Sequence, residues 1–260
     1  MKIQSLHYYP VKSLAGISCD QFKLDTKGPE YDRRYMLVNA AGQFITQRQF
    51  GQLALLTLHL TDSGFRVTQP SGESITIPFI GEQQKAVPSK IWSDEIELFE
   101  QPPLFNAFFS DYLGLAVKLV YQAASSVRVQ EKATFKTVSL ADGFPLLMIN
   151  QASIDDINQR FALSLSPVHF RANIVIKGAQ AFVEDNWQGL LCAEHRLDSV
   201  KPCSRCVIPT IDIATGKPQK AVWQALKSAR QDEDGQIYFG HNLVHTKLAT
   251  LSIHDKIAPF

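Results

Sequence analysis

Residues 201–216, Lys-Pro-Cys-Ser-Arg-Cys-Val-Ile-Pro-Thr-Ile-Asp-Ile-Ala-Thr-Gly, hold two cysteines, Cys203 and Cys206, at C-x-x-C spacing with Arg205 between them. Three chemistries fit such a pair. A closed zinc site needs four Cys or His ligands, and His241 and His245 supply a formal H-x3-H. However, 34 residues lie between Cys206 and His241, against about 12–15 in the common finger spacing, and they read as strand, helix and strand. A thiol–disulfide centre wants its second cysteine to lead into a helix, whereas Val207-Ile208-Pro209 reads as extended chain. The third chemistry is a single thiolate on a soft metal, with Arg205 as the cation beside Cys206 and with Cys203 packed below the loop.

Around this loop the hydrophobic pattern divides the chain in two. Residues 1–100 read as short strands, among them 43–48 and 53–60, separated by turns at Ala41-Gly42, Asp62-Ser63-Gly64 and Pro70-Ser71-Gly72. A helix is expected from Pro103 to Gly114, with Leu104, Phe105, Phe108, Phe109 and Leu113 as its apolar positions. A strand follows at 116–122, then a long polar loop over 123–143. Strands are expected at 144–150 and 172–178. The helix between them opens on a capping box at Ser153 and places Ile154, Ile157 and Phe161 on one face. A last helix over 218–230 buries Val222, Trp223 and Leu226, and the tail reads as short strands. The pattern predicts a mainly β fold, barrel-like with a few helices: a small N-terminal β domain over 1–100 and a second domain over 101–260.

With 260 residues, 45% hydrophobic and 20% charged, the chain has the composition of a globular protein. A net charge of +1 gives no overall attraction to nucleic acid or to an anionic membrane. No secretory signal and no run of about 18 apolar residues is present, so a cytoplasmic protein is expected, without a disulfide framework. The other cysteines, Cys19 and Cys192, read as small buried side chains.

The 201–216 block resembles the signature of the MOSC family, in the branch of bacterial YcbX-type proteins and the mitochondrial amidoxime-reducing component. Three further blocks fall in the family's order: YYPVKSLAG (8–16), YDRRYMLVNAAGQFITQRQ (31–49) and FRANIVIKGAQAFVEDNW (170–187). The resemblance implies a β-barrel N-terminal domain followed by a MOSC domain, and a molybdenum–molybdopterin cofactor, with no need for pyridoxal phosphate. It places the metal ligand and catalytic thiolate on Cys206. It places cofactor contacts on Lys12, Ser13, Arg33, Arg171, Asn173, Ser204, Arg205 and Asn242, with Gly143 and Phe144 as weaker candidates. Arg and Lys suit a phosphate, and Asn suits the edge of a pterin. Arg34 and Arg48 are read as solvated or structural, Asp212 as a turn cap and Trp187 as core. The implied activity is reduction of N–O bonds in small N-hydroxylated compounds. The alternative is a protein that carries the cofactor or sulfur without turnover. YcbX-type proteins commonly add a ferredoxin-like domain, but the C-x4-C-x2-C run it needs is missing here. A separate ferredoxin- or flavoprotein-type electron donor is therefore expected.

Overall fold

A computed structural model describes residues 1–260 and is predominantly β, with four α-helices. The largest sheet has eight strands. In spatial order they are Ile257–Pro259, Gly189–Cys192, His195–Ser204, Tyr238–His245, Leu146–Asn150, Ile174–Lys177, Lys2–Tyr8 and Ile17–Cys19. All neighbours are antiparallel except Leu146–Asn150 and Ile174–Lys177. A parallel pair needs a long crossover, and here the helix Gln151–Phe161 lies within it. The alternation of that helix buries Ile154 and Ile157 in one cluster with Ile149, Val175 and Leu226. A four-stranded sheet (Tyr35–Val38, Lys118–Tyr121, Asp94–Glu100, Lys85–Ile91) and two three-stranded sheets complete the fold.

Hydrogen bonding continues across residue 100. Asp94–Glu100 pairs with Lys118–Tyr121 across that point. The first strand belongs to the large C-terminal sheet, through Ile174–Lys177. One core cluster runs from Tyr8 to Ala123 and contains the buried face of the helix Pro103–Leu113. Composition registered the change from strands to helix at this point, but the hydrogen bonds join the two sides.

Local readings mostly match. Pro103–Leu113 begins at proline and ends on Gly114 in the left-handed region, as its spacing required, although Leu104 stays exposed. Lys220–Arg230 buries Val222 and Leu226, with Trp223 half-buried. Three expectations need correction. The helix read from Ser153 begins at Gln151, capped by Asn150, whose side chain accepts from the Ala152 N–H. Ser153 sits inside the helix and donates to the distant Glu184 at 2.5 Å. Residues 43–48 form only isolated bridges, at Phe44 to Val38 and Gln43 to Lys90. Of 53–60, Gly51–Leu55 is a 3-10 turn and the strand starts at Thr57. The long segment from Gln122 to Pro145 has no strand or helix, as predicted, yet it is packed down: Ser126, Arg128, Ser139 and Leu140 are buried. No helix of the molecule is long and apolar enough to cross a membrane.

Candidate functional site

Lys12 and Ser13 follow the first strand. Arg33 precedes Tyr35–Val38. Arg171 and Asn173 lead into Ile174–Lys177. Ser204 ends His195–Ser204, with Arg205 and Cys206 just beyond it, and Asn242 lies in Tyr238–His245. All nine line one cavity, together with Arg48, Asp142, Gly143, Phe144 and Cys203. Its narrow inner part, of about 130 Å3, opens into an outer part of about 660 Å3 that shares Arg48, Asp142, Gly143, Ser204, Arg205 and Cys206.

The frame is built around Tyr9 and Asp32, neither of which was singled out in the sequence. Two guanidinium groups lie over the Tyr9 ring, Arg33 at 4.5 Å and Arg171 at 4.3 Å. Its hydroxyl donates to the Ala172 carbonyl at 3.1 Å. Gly16 makes room for the ring, since a Cβ there would come within 2.5 Å of Tyr9 Cε1. Asp32 is fully buried. It accepts from the Tyr9 N–H (2.8 Å), Asn173 Nδ2 (3.2 Å) and Arg33 Nη1 (2.7 Å). Arg33 also donates to Asn173 Oδ1 and to the Arg171 carbonyl. Ser13, Arg33 and Arg171 all have left-handed backbones, with φ of 69°, 49° and 58°. Such strain, of order 1–3 kcal/mol per residue, clusters at functional sites. At Arg171 it arises where the short helix Pro167–Phe170 stops and the chain turns into the sheet.

Five cations face the cavity (Lys12, Arg33, Arg48, Arg171, Arg205) against one carboxylate, Asp142. Lys12 Nζ donates to the Leu140 carbonyl (2.8 Å) and to Asp142 (2.6 Å). Burial pushes its ammonium down to about 8, although Asp142 opposes the shift. Desolvation also works against the charge on Asp142. Lys12, then Arg48 and Arg33, outweigh it and hold this half-exposed carboxyl below the usual range. Burial first, then the neighbouring Arg33, bring Arg171 down to about 10. Arg171 Nη1 donates to the Leu14 carbonyl at 2.5 Å, while Nη2 has no protein partner. Arg205 Nε also lacks one.

The MOSC N-terminal beta barrel domain matches residues 1–116, and the MOSC domain matches residues 136–258. The chain belongs to the MOSC-domain proteins. It is 26% identical over 286 residues to the molybdenum cofactor sulfurase of Homo sapiens, covering 99% of this chain and 32% of that protein. It is 28% identical to the mitochondrial amidoxime-reducing component 1 of Mus musculus (92% and 74% covered) and 29% identical to component 2 of Rattus norvegicus (88% and 72%). The chain thus spans about a third of the length of the cofactor sulfurases it matches. Among solved structures, the YuaD protein of Bacillus subtilis aligns over 98% of this chain and 93% of its own, at 11% identity and a TM-score of 0.44.

Within the MOSC domain the C-x-x-C loop differs from its reading in two respects: the chain after Cys206, read as extended, enters a 3-10 turn at Ile208–Thr210, and Arg205 turns the other way. Arg205 was placed beside Cys206, but its Nη1 donates to Cys203 Sγ at 3.0 Å and its Nη2 to the Phe170 carbonyl at 3.0 Å. Cys203 packs against the core cluster, as the third reading required. All four cysteines are free, and Cys206 is half-buried at the cavity wall. The formal H-x3-H does not join it. His241 lies between Ser199 Oγ (3.0 Å) and Asp185 Oδ1 (3.1 Å), and His245 Nε2 is 2.7 Å from the Asp25 carbonyl. No group of three or more His, Cys, Asp or Glu converges as a metal cluster. Asp212 accepts from the Ala214 and Thr215 N–H groups and holds the turn after the loop. Trp187 packs on the core. Ser204 is the most exposed of the loop contacts, with its hydroxyl on Gln236, and Asn242 is half-buried, with Nδ2 3.5 Å from the Pro202 carbonyl.

Proposed function

We propose that the cavity holds a molybdenum–molybdopterin cofactor with Cys206 as the protein's metal ligand, and that the protein is an oxidoreductase acting on N–O bonds of small N-hydroxylated compounds. A separate ferredoxin- or flavoprotein-type partner supplies the electrons. One observation carries the reading: nine residues from five separate stretches of the chain converge on one cation-lined cavity, with the half-buried Cys206 thiol on its wall and the neighbouring Cys203 sulfur held by Arg205.

The donor set fits such a group. Unpartnered N–H donors on Arg171 and Arg205 call for an acceptor, and planar guanidinium forks suit phosphate. Asn173 is fully engaged by Asp32, Arg33, the His7 carbonyl and the Leu147 N–H and so serves to position Arg33, while Asn242 retains amide capacity for a polar heterocycle edge. A single protein thiolate is what a metal already held by organic sulfur needs, and the cofactor, when bound, supplies two-electron oxygen-atom chemistry. The protein's own part is positioning. Asp32 and Tyr9 hold Arg33 and Arg171 in place, the buried Lys12 is paired to Asp142 on the cavity wall, and Gly143 and Phe144 line it. Turnover of an N-hydroxylated amidine, with a chemical reductant or a ferredoxin or flavoprotein donor, tests the assignment. Wild-type protein from a cofactor-competent host is active and Cys206→Ala is not; equal turnover by the two sinks the proposal.

The second reading, a carrier of cofactor or sulfur, is supported by the Arg205 guanidinium on Cys203, which puts a cation on the second sulfur of the cavity. Persulfide on Cys203 or Cys206 in molybdenum-loaded but inactive protein would favour it.

A further inference from the structure

Trp92 occupies the tip of the hairpin between Lys85–Ile91 and Asp94–Glu100, with a left-handed backbone at φ 56°. Two-residue hairpin turns reserve such positions for Gly, Asn or Asp, and a bulky aromatic there is an outlier. The indole is not buried in compensation, since Trp92 is 48% exposed. It stands instead on the wall of the outer cavity, whose lining also includes Cys206. Its Nε1 donates to Asp142 at 3.4 Å. The Arg48 guanidinium lies against it, 4.4 Å from the ring, and 5.8 Å from the ring of Phe44, which itself packs on Trp92 at 5.4 Å. Arg48 makes no ion pair and no side-chain hydrogen bond to the protein, and it lines both parts of the cavity.

We infer that Trp92 and Arg48 form a substrate subsite at the mouth, selecting molecules that carry an aromatic ring and an anionic group beyond the reacting end. The ring stacks on the exposed indole. The fork of Arg48, already stripped of part of its hydration by the indole, takes a carboxylate. Cationic substrates are disfavoured, because Arg48 and Arg205 share this space with only Asp142 and Asp94, each already paired to a cation. The inference rests on the proposed reduction of N-hydroxylated compounds. The shared chemistry, a planar ring system carrying an anionic group, also describes a pterin cofactor with its phosphate, so the experiment separates the two.

Protein from a cofactor-competent host is titrated with N-hydroxybenzamidine and with its para-carboxylate, following fluorescence quenching, with molybdenum measured on the same samples. The carboxylate is expected to bind wild type about tenfold more tightly than the uncharged parent. Arg48→Ala removes that preference with molybdenum content unchanged, and Arg48→Lys restores part of it. Trp92→Gly, read by calorimetry, weakens both ligands about threefold to tenfold. It does so without lowering the melting temperature, since it relieves the positive φ; a residue placed only for packing would lower it. Equal affinity of wild type for the two ligands overturns the subsite. A fall in molybdenum content in Arg48→Ala overturns it as well, because the anion would then be the cofactor's. Binding is read without turnover, so an inactive protein that shows the preference refutes the reductase assignment and leaves the subsite standing.

Discussion

Two sets of cations are used in opposite ways: one, buried, holds down the 122–145 segment, and the other, half-buried, lines the cavity. In the first set, Lys27 donates to the carbonyls of Ala123 (2.8 Å), Ala124 (3.4 Å) and Ser126 (3.1 Å). Arg128 spends Nε on Asp94, Nη1 on the Ser139 and Ala141 carbonyls, and Nη2 on the Asp142 carbonyl. These side chains anchor a segment that has no ladder of its own. In the second, Arg171 and Arg205 keep buried donors without partners, Arg48 has none, and the backbone is left-handed at Ser13, Arg33 and Arg171. The comparison separates cations that complete the fold from cations held for a ligand. An orphan donor alone does not make the distinction: Arg34 leaves Nη1 unpaired too, but it is clamped on Asp25 and does not line the cavity.

The harshest way to break the cavity frame is Asp32→Ala. Loss of this fully buried carboxylate strands the Arg33 guanidinium, the Tyr9 N–H and the Asn173 amide together. The expected cost is about 3–5 kcal/mol, read from denaturant unfolding, and the cofactor is lost with it. Lys27→Met leaves three carbonyls without their donor and is expected to cost about 1–3 kcal/mol, while molybdenum per folded chain is retained. Arg171→Met should do the reverse. It forfeits one bond to Leu14 but relieves a desolvated cation beside Arg33, so stability changes by no more than about 1 kcal/mol, whereas elemental analysis shows the molybdenum gone.

The smallest effect is one of pH. Burial pushes both Lys12 and Lys27 down to about 8, from 10.5 in the unfolded chain. Between those values the unfolded state binds more protons, so folding stability rises with pH above about 8, as the penalty of holding the two ammonium groups is relieved. In the cavity the same titration removes a positive charge, so cofactor retention falls over that window. Thermal melts and metal analysis between pH 7 and 10 should therefore move in opposite directions, and Lys12→Arg should flatten the second while leaving the first with only the slope due to Lys27.

Much of this was legible in the residues, and what was not has physical reasons. Periodicity and end signals located the helices Pro103–Leu113 and Lys220–Arg230, because proline, glycine and apolar spacing act within a few residues. The start of Gln151–Phe161 was misplaced because Ser153 looks like a cap until Glu184, 31 positions away, takes its hydroxyl. The nine residues inferred from the family resemblance do share one cavity. Tyr9 and Asp32 escaped notice, and Arg48 was read as solvated or structural although it lines the cavity, because their roles come from stacking and burial across the fold; Tyr9 and Asp32 nevertheless sit one to three positions from Lys12 and Arg33. The turn of Arg205 toward Cys203 depends on the Phe170 carbonyl, a contact across 35 positions that no local pattern encodes.

The central claim is that the cavity holds molybdenum through the thiol at 206. Elemental mass spectrometry on protein from a cofactor-competent host, with zinc measured beside molybdenum, tests it most directly. The account predicts close to one molybdenum per chain, little zinc, and a sharp loss of molybdenum in Cys206→Ala after desalting. Stoichiometric zinc in place of molybdenum, or equal molybdenum in the variant, would contradict it.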